Sequence, residues 1–420
     1  MSTSSTVNND RRDDAKIHNG VKRVLIFSLA YYPKYIGGAE VAIKEITDRI
    51  LPADIEFHMV TLRFDSALPK VEQVGNVLVH RIGFAVQNPS MVDLKKFPLA
   101  LNKFLFQGLA PLYALGLHKK YNYDGIWGMM AHSVGIAIGI FKFLKPRVKY
   151  VLTLQEGDPP KYIERLALPA WPLFRYAFTS ADRVQVISTF LGTWAKRMGY
   201  AGEPIVIPNG VNTVAFSKEV PEQELIVLKE KLQKKKDDVF LITASRLVHK
   251  NAIDDVISSL SFLPENIKFL ILGTGPDEEK LKLEARTYNL EARVLFLGHV
   301  THEDLPKYLK VSDIFIRPSR SEGMGNSFIE AFASGIPVIA TQEGGIADFL
   351  FDVVHNPEQA PTGFVVDADN PKQIAETVNN IVEHPEVVTL VVQNAQALAQ
   401  KGYDWNLIAK DMKEKVFSLF

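Results

Sequence analysis

The sequence contains no cysteine, which excludes a disulfide scaffold, a thiolate metal centre and a cysteine nucleophile. It has no excess of either charge, with 48 Lys+Arg against 48 Asp+Glu in 420 residues. A zero sum argues against a protein that coats nucleic acid. The first twenty residues are polar and hold no apolar core of signal-peptide type. They read as a flexible tail, 1–20. Long apolar runs are scarce too: only Gly125–Leu144 approaches the length of a membrane span. His132, Ser133, Lys142 and the small residues within it fit a strand followed by a buried helix better. A cytoplasmic location is expected.

What is present is ordinary globular material, 47% hydrophobic and 23% charged, long enough for two or three domains. From Val21 onward a short apolar run, a loop and an amphipathic stretch alternate almost to the end. Strands are expected at Val24–Leu29, Phe57–Leu62, Val77–Ile82, Gly125–Trp127, Tyr150–Leu154, Val184–Ile187 and Ile205–Ile207. After the break at Pro208-Asn209-Gly210 and the Lys231–Asp238 charge cluster, a second series follows. Its strands are Val239–Ala244, Lys268–Leu272, Val294–Leu297, Ile314–Ile316 and Val338–Ala340. Continuous apolar runs between helices indicate parallel strands covered on both faces. The pattern predicts two doubly wound α/β domains, 21–208 and 209–402, with ligands beyond the carboxyl ends of the strands. A terminal segment, 403–420, is expected to pack back as a helix on the first domain.

Four loops that follow strands hold candidate chemistry. Gly37-Gly38 opens a helix, either as a tight turn or as backbone that approaches a diphosphate at a helix N-terminus. Arg246 and Lys250 lie four apart, a solvated basic turn or two cations on one anion. In Ser319–Glu330, Gly323 and Gly325 loosen a loop that runs into a helix ended by Gly335. Glu322 lies in that loop, while Glu330 either faces a ligand or completes a Ser327-x-x-Glu330 capping box. His132 follows the Gly125–Trp127 strand and is either structural or a hydrogen-bonding partner for substrate.

In order, Gly37-Gly38-Ala-Glu, Ile207-Pro-Asn-Gly-Val-Asn, Ser245-Arg-Leu-Val, Glu322-x7-Glu330, Ala333-Ser-Gly-Ile-Pro-Val-Ile-Ala-Thr and Gly344-Gly345 resemble family 4 of the retaining glycosyltransferases. The resemblance runs from Val21 to the final helix. It implies the GT-B fold, two Rossmann-like domains facing across a cleft. It implies transfer of a hexose-type sugar from a nucleotide-diphosphate sugar to a hydroxyl acceptor on a glycan or glycolipid, with retention and without a metal. In that setting Gly37 and Gly38 approach the diphosphate, and Arg246 and Lys250 neutralise it as it leaves. Glu322 contacts the donor sugar beside the amides of Gly323, Met324 and Gly325, with Asn326 next in line. Glu330 binds the ribose, Gly298-His299-Val300 holds the base, and His132 lies near the transferred sugar. Catalytic roles are expected for His132, Glu322, Arg246 and Lys250.

The chain departs from the family pattern in places. The Arg–Lys spacing is one residue shorter than usual, Asn212 stands for an aspartate, and Asp348 stands for a glutamate. The Thr153–Asp158 loop lacks the usual histidine, which leaves the acceptor open. Two other readings compete: a sugar-nucleotide sensor on the same fold, and a nicotinamide dehydrogenase suggested by Gly273-Thr-Gly275-Pro. The dehydrogenase fingerprint is incomplete because Glu278 stands where its third glycine belongs. Asp367-Ala-Asp369 reads as a loop before a helix rather than a metal site. The neutral total hides a division: residues 21–208 carry 23 Lys+Arg and 14 Asp+Glu, and residues 209–420 carry 22 and 31. Within the basic half, Asp93–Lys120 interleaves Phe97, Phe104, Leu105 and Phe106 with Lys95, Lys96 and Lys103. That segment is either a core helix with a basic face or a surface for peripheral contact with an anionic membrane, on the inner face of the cytoplasmic membrane.

Overall fold

A computed structural model describes residues 20–34, 36–90 and 93–420. The expected tail therefore lies almost wholly outside the described residues. The chain divides into two compact units: residues 1–153, 170–183 and 416–420, and residues 154–169 and 184–415.

In the first unit the strands are β1 (Lys22–Phe27), β2 (Ile55–Leu62), β3 (Val71–Val74), β4 (Val77–Ile82), β5 (Gly125–Met129) and β6 (Lys149–Leu154), ordered β3-β4-β2-β1-β5-β6. All pairings are parallel except β3 on β4. Val24–Phe27 are fully buried, as a strand with helices on both faces must be. Gly125–Leu144 resolves into β5 and the helix Ala131–Leu144, and no helix among the described residues is long and apolar enough to cross a membrane. At the chain's end Phe417 packs edge-on against Trp127 and Phe57, at 5.0 and 5.7 Å between ring centroids. Phe420 fills the space beside Gly125, where a methyl group would lie 2.0 Å from its ring.

The second unit holds all but the first residue of β7 (Arg183–Val186) and the whole of β8 (Ile205–Val206), a parallel pair. Its main sheet comprises β9 (Val239–Ala244), β10 (Ile267–Leu272), β11 (Val294–Gly298), β12 (Ile314–Arg317), β13 (Val338–Ala340) and β14 (Phe364–Val365). All are parallel, in the order β11-β10-β9-β12-β13-β14. Its helix-facing core includes Leu241, Phe269, Ile316, Val256 and Ile374.

Against the first sheet, under the helix Asn102–Tyr121, lies a buried polar cluster. His58 binds the Tyr123 hydroxyl through Nδ1 (2.6 Å) and Glu56 through Nε2 (2.8 Å). The His80 ring lies beside those of His58, Tyr113 and Tyr121, and neither of its nitrogens has a partner. Burial, then the His58 and Lys120 charges, push His80 down to about 4. A histidine whose folded pKa lies below its unfolded value of ~6.5 leaves stability intact above that value. Stability is then lost as pH falls towards 4. His80→Phe should flatten the acid arm of a stability–pH curve by about 2 kcal/mol, measured by urea unfolding between pH 7 and 4.

Candidate active site

In the second unit the loops at the carboxyl ends of β9, β10 and β12 gather the predicted residues. After β9 the chain turns through Ser245–Asn251. Arg246 is exposed and has no ion pair among the described residues. The Lys250 ammonium lies 3.3 Å from the Asp158 carboxylate. Two glycines of the neighbouring turn set this loop's path. A methyl group on Gly273 (φ +134°) would lie 1.9 Å from the Ser245 carbonyl oxygen, and one on Gly275 would lie 2.0 Å from that of Leu247. Both glycines therefore press against protein backbone, where a dinucleotide-binding turn would present them to a pyrophosphate.

The loop after β12 is organised by a residue that the motifs do not name. Arg317 ends the strand, is buried, and donates 2.9 Å hydrogen bonds to the Glu322 carboxylate and the Ser327 hydroxyl. Its guanidinium lies 4.2 Å from the Phe328 ring centroid. Ser327 is thus engaged by Arg317 and lies one residue inside the helix, so of the two readings of Glu330 the capping box does not hold. The helix Asn326–Ser334 starts after Gly325 (φ +85°) without a side-chain cap. Glu330 lies just beyond its first turn, buried, with its carboxylate 3.5 Å from His302. Burial raises the Glu330 pKa, against the His302 and Arg317 charges that lower it. Gly335 (φ +76°) ends the helix as expected.

Gly157 closes over this loop. A methyl group there would lie 2.7 Å from the Lys250 ammonium and 3.2 Å from Glu322 Oε1. Lys250 and Glu322, 72 residues apart in the sequence, therefore meet above one glycine. Ser321 donates to the Gly157 carbonyl (3.2 Å), and the Gly345 N–H donates to that of Glu322 (3.0 Å). Arg320 ties the two active loops together: its N–H donates to the Lys250 carbonyl (2.7 Å), and its guanidinium pairs with Asp254, Asp255 and Asp369. Burial pushes Asp255 up to about 6, against the pull of Arg320. Asp369 is thus engaged by an arginine, and Asn370 caps the following helix through the Gln373 N–H. Among the described residues no three His, Cys, Asp or Glu side chains are grouped to hold a metal ion.

Gly298 (φ +70°) ends β11 with open space at its α-carbon, followed by exposed His299 and half-buried Val300. Met324 is buried, and its sulfur accepts the Asn209 N–H at 3.3 Å. Asn212 caps the helix Thr213–Ser217 by accepting the Ala215 N–H, a task that an amide performs as well as a carboxylate. Asp348 accepts the Thr189 N–H (2.7 Å).

In the first unit Gly37 caps the helix Gly38–Asp48, and its N–H donates to Glu40 (2.8 Å), a buried carboxylate whose pKa burial raises. Gly38 has open space around its α-carbon. Exposed His132 stands in the first turn of Ala131–Leu144, its Nε2 3.1 Å from the Ser133 hydroxyl.

Two Rossmann-like α/β domains with parallel sheets define the GT-B class of sugar transferases. Residues 226–404 match the model of glycosyl transferases group 1, and residues 36–214 match that of glycosyltransferase family 4. The chain belongs to this glycosyltransferase family. It is similar to an uncharacterized glycosyltransferase of Methanocaldococcus jannaschii, 25% identical over 92% of this chain and 95% of that protein. The alpha-monoglucosyldiacylglycerol synthase of Streptococcus pneumoniae is 26% identical over 63% of each chain. Among solved structures, Anabaena HepE in complex with UDP-glucose superposes with a TM-score of 0.73 at 21% identity, over 94% of this chain and 99% of that one.

Proposed function

We propose that the protein transfers a hexose, with retention and without a metal, from a nucleotide-diphosphate sugar to a hydroxyl of a glycan or glycolipid. The observation that carries this reading is the meeting of Lys250 and Glu322 at Gly157, a cation for the leaving diphosphate beside a carboxylate for sugar hydroxyls. The UDP-glucose in HepE and the monoglucosyldiacylglycerol in the name of the pneumococcal relative are in keeping with it. As the bond from the anomeric carbon to the diphosphate oxygen breaks, the acceptor oxygen bonds that carbon on the same face. Its proton passes to the departing phosphate. Arg246 and Lys250 hold the charge that develops there, Gly38 offers its amide, Glu330 takes the ribose, and the Gly298–Val300 turn takes the base. The resemblance assigns His132 to the transferred sugar. Determining the product's anomeric configuration by NMR, in reactions containing EDTA, tests this directly. A retained configuration at undiminished rate is expected; inversion overturns the mechanism, and loss of turnover overturns its metal independence.

The acceptor reading extends to a cytoplasmic protein in peripheral contact with a membrane. Of the aromatic residues in the 93–120 segment, Phe106 faces inward and is buried, whereas Phe97 and Phe104 are 82% and 79% exposed. Leu101, Leu109 and Leu112 continue their stripe, flanked by exposed Lys95, Lys96, Lys103, Lys119 and Lys120. The helix is therefore apolar on both sides, and the cations suit anionic headgroups. Co-sedimentation with phosphatidylglycerol vesicles should exceed that with phosphatidylcholine several-fold and fall in F97S/F104S. Equal binding to both vesicle types would overturn the contact.

A further inference from the structure

We infer that Arg317 is a positioning residue that fixes the Glu322 carboxylate against the donor sugar; the inference rests on the role proposed for Glu322. Arg317 sits at the last position of β12, buried, and is held at three points: Glu322 Oε2, Ser327 Oγ and the face of Phe328. Gly325 makes the room, since a methyl group there would lie 2.4 Å from the guanidinium and 2.7 Å from Phe328. The glycine before the helix is thus required by the arginine as well as by its left-handed backbone.

The other carboxylate oxygen of Glu322 accepts the Gly323 N–H (3.0 Å). With one oxygen on a guanidinium and the other on a backbone amide, the side chain is confined to one rotamer while lone pairs stay free for hydroxyl donors. Stability alone does not account for the arrangement. The Arg317 Nε has no partner, and a buried cation with an orphaned N–H is inferior to a packed apolar side chain as a source of folding energy. Lysine cannot substitute, because an ammonium has no planar fork to span Glu322 and Ser327 while stacking on a ring.

The test compares R317M, R317K, S327A, E322Q and R317M/E322Q in the full-length enzyme, each checked by thermal melting. R317M should lower kcat on the order of 10²-fold with a much smaller change in donor KM, as misplacement of a group in the reacting complex does. R317K should recover little of that loss. The double variant should be no slower than E322Q, because the two residues act as one unit. S327A keeps the charge pair and loses one tether, so it should fold, melt somewhat below the parent for the one buried donor it orphans, and turn over several-fold more slowly at a temperature where both are fully folded, even if R317M fails to fold. Unimpaired S327A, or losses in the double variant that multiply, would overturn the inference. Unimpaired E322Q would instead remove the role proposed for Glu322, and the inference with it.

Discussion

Arg246→Ala and Lys250→Ala are each expected to lower kcat by about 10²–10³-fold while changing donor affinity far less. The donor's diphosphate is already charged when it binds, so a cation contributes to affinity. A further charge appears on the leaving oxygen only as the glycosidic bond breaks, and stabilising that charge affects the rate. Arg246 is exposed and free of ion pairs among the described residues, so no internal partner needs to be displaced before it meets an anion. Lys250 does have one. Its pairing with half-exposed Asp158 is of a kind worth ~1 kcal/mol or less, which a diphosphate readily displaces. Asp158→Asn should accordingly tighten donor binding slightly and leave kcat near its parent value. Isothermal titration for affinity and initial rates for turnover separate the two effects. Loss of affinity with unchanged kcat would mean that the cations only bind the donor; donor binding without any turnover in the parent would mark a sugar-nucleotide sensor.

The largest effect on stability is expected at Gly273. An alanine there meets two independent obstacles: φ of +134°, strained for any side chain, and a carbonyl oxygen of Ser245 1.9 Å from the new methyl. The obstacle is backbone of the adjacent loop, so no rotamer change relieves it. Gly273→Ala should therefore cost at least about 3 kcal/mol, or roughly 10 °C in Tm. Any folded fraction should also be slow, because the displaced strand end carries Arg246. Gly402→Ala is the control. It lies at the end of the helix Pro385–Gly402 with nothing near its α-carbon, so it should leave Tm within a degree or two or raise it. A Gly273→Ala protein that melts with the parent would show that the two loops separate more easily than their packing suggests.

Most strands are legible because a buried parallel strand is an uninterrupted apolar run, and three of them, Val77–Ile82, Val239–Ala244 and Val338–Ala340, have the same bounds in the sequence pattern and in the structure. β3 escaped because Val-Glu-Gln-Val is a short, half-exposed edge paired antiparallel, and β14 because two residues make no pattern. In the candidate site, the glycines and charged residues of the loops could be found from their order. Their side-chain partners could not. Ser327-x-x-Glu330 has the spacing of a capping box, but the helix begins one residue earlier, at Asn326 after Gly325, so Ser327 lies inside its first turn and meets Arg317 instead. Arg317 itself left one signal: a lone cation closing the apolar run Ile-Phe-Ile demands a carboxylate nearby. Gly157 left none, because its proximity to Lys250 and Glu322 comes from packing alone.

Gly344 and Gly345 lie against the Glu322 and Gly323 carbonyl oxygens, with 2.0 and 1.9 Å to any added methyl. Together with Gly273 and Gly275, they are places where two stretches of backbone touch without side chains between them. A pattern built from these glycines therefore reports the architecture, and a chain could keep every one while losing its chemistry. For judging whether a distant member of this family still turns over, the informative letters are the few charged ones between the glycines. In this chain Arg317, at the end of a strand and absent from every motif, is the charged residue whose loss would leave the loop's shape in place and its carboxylate loose.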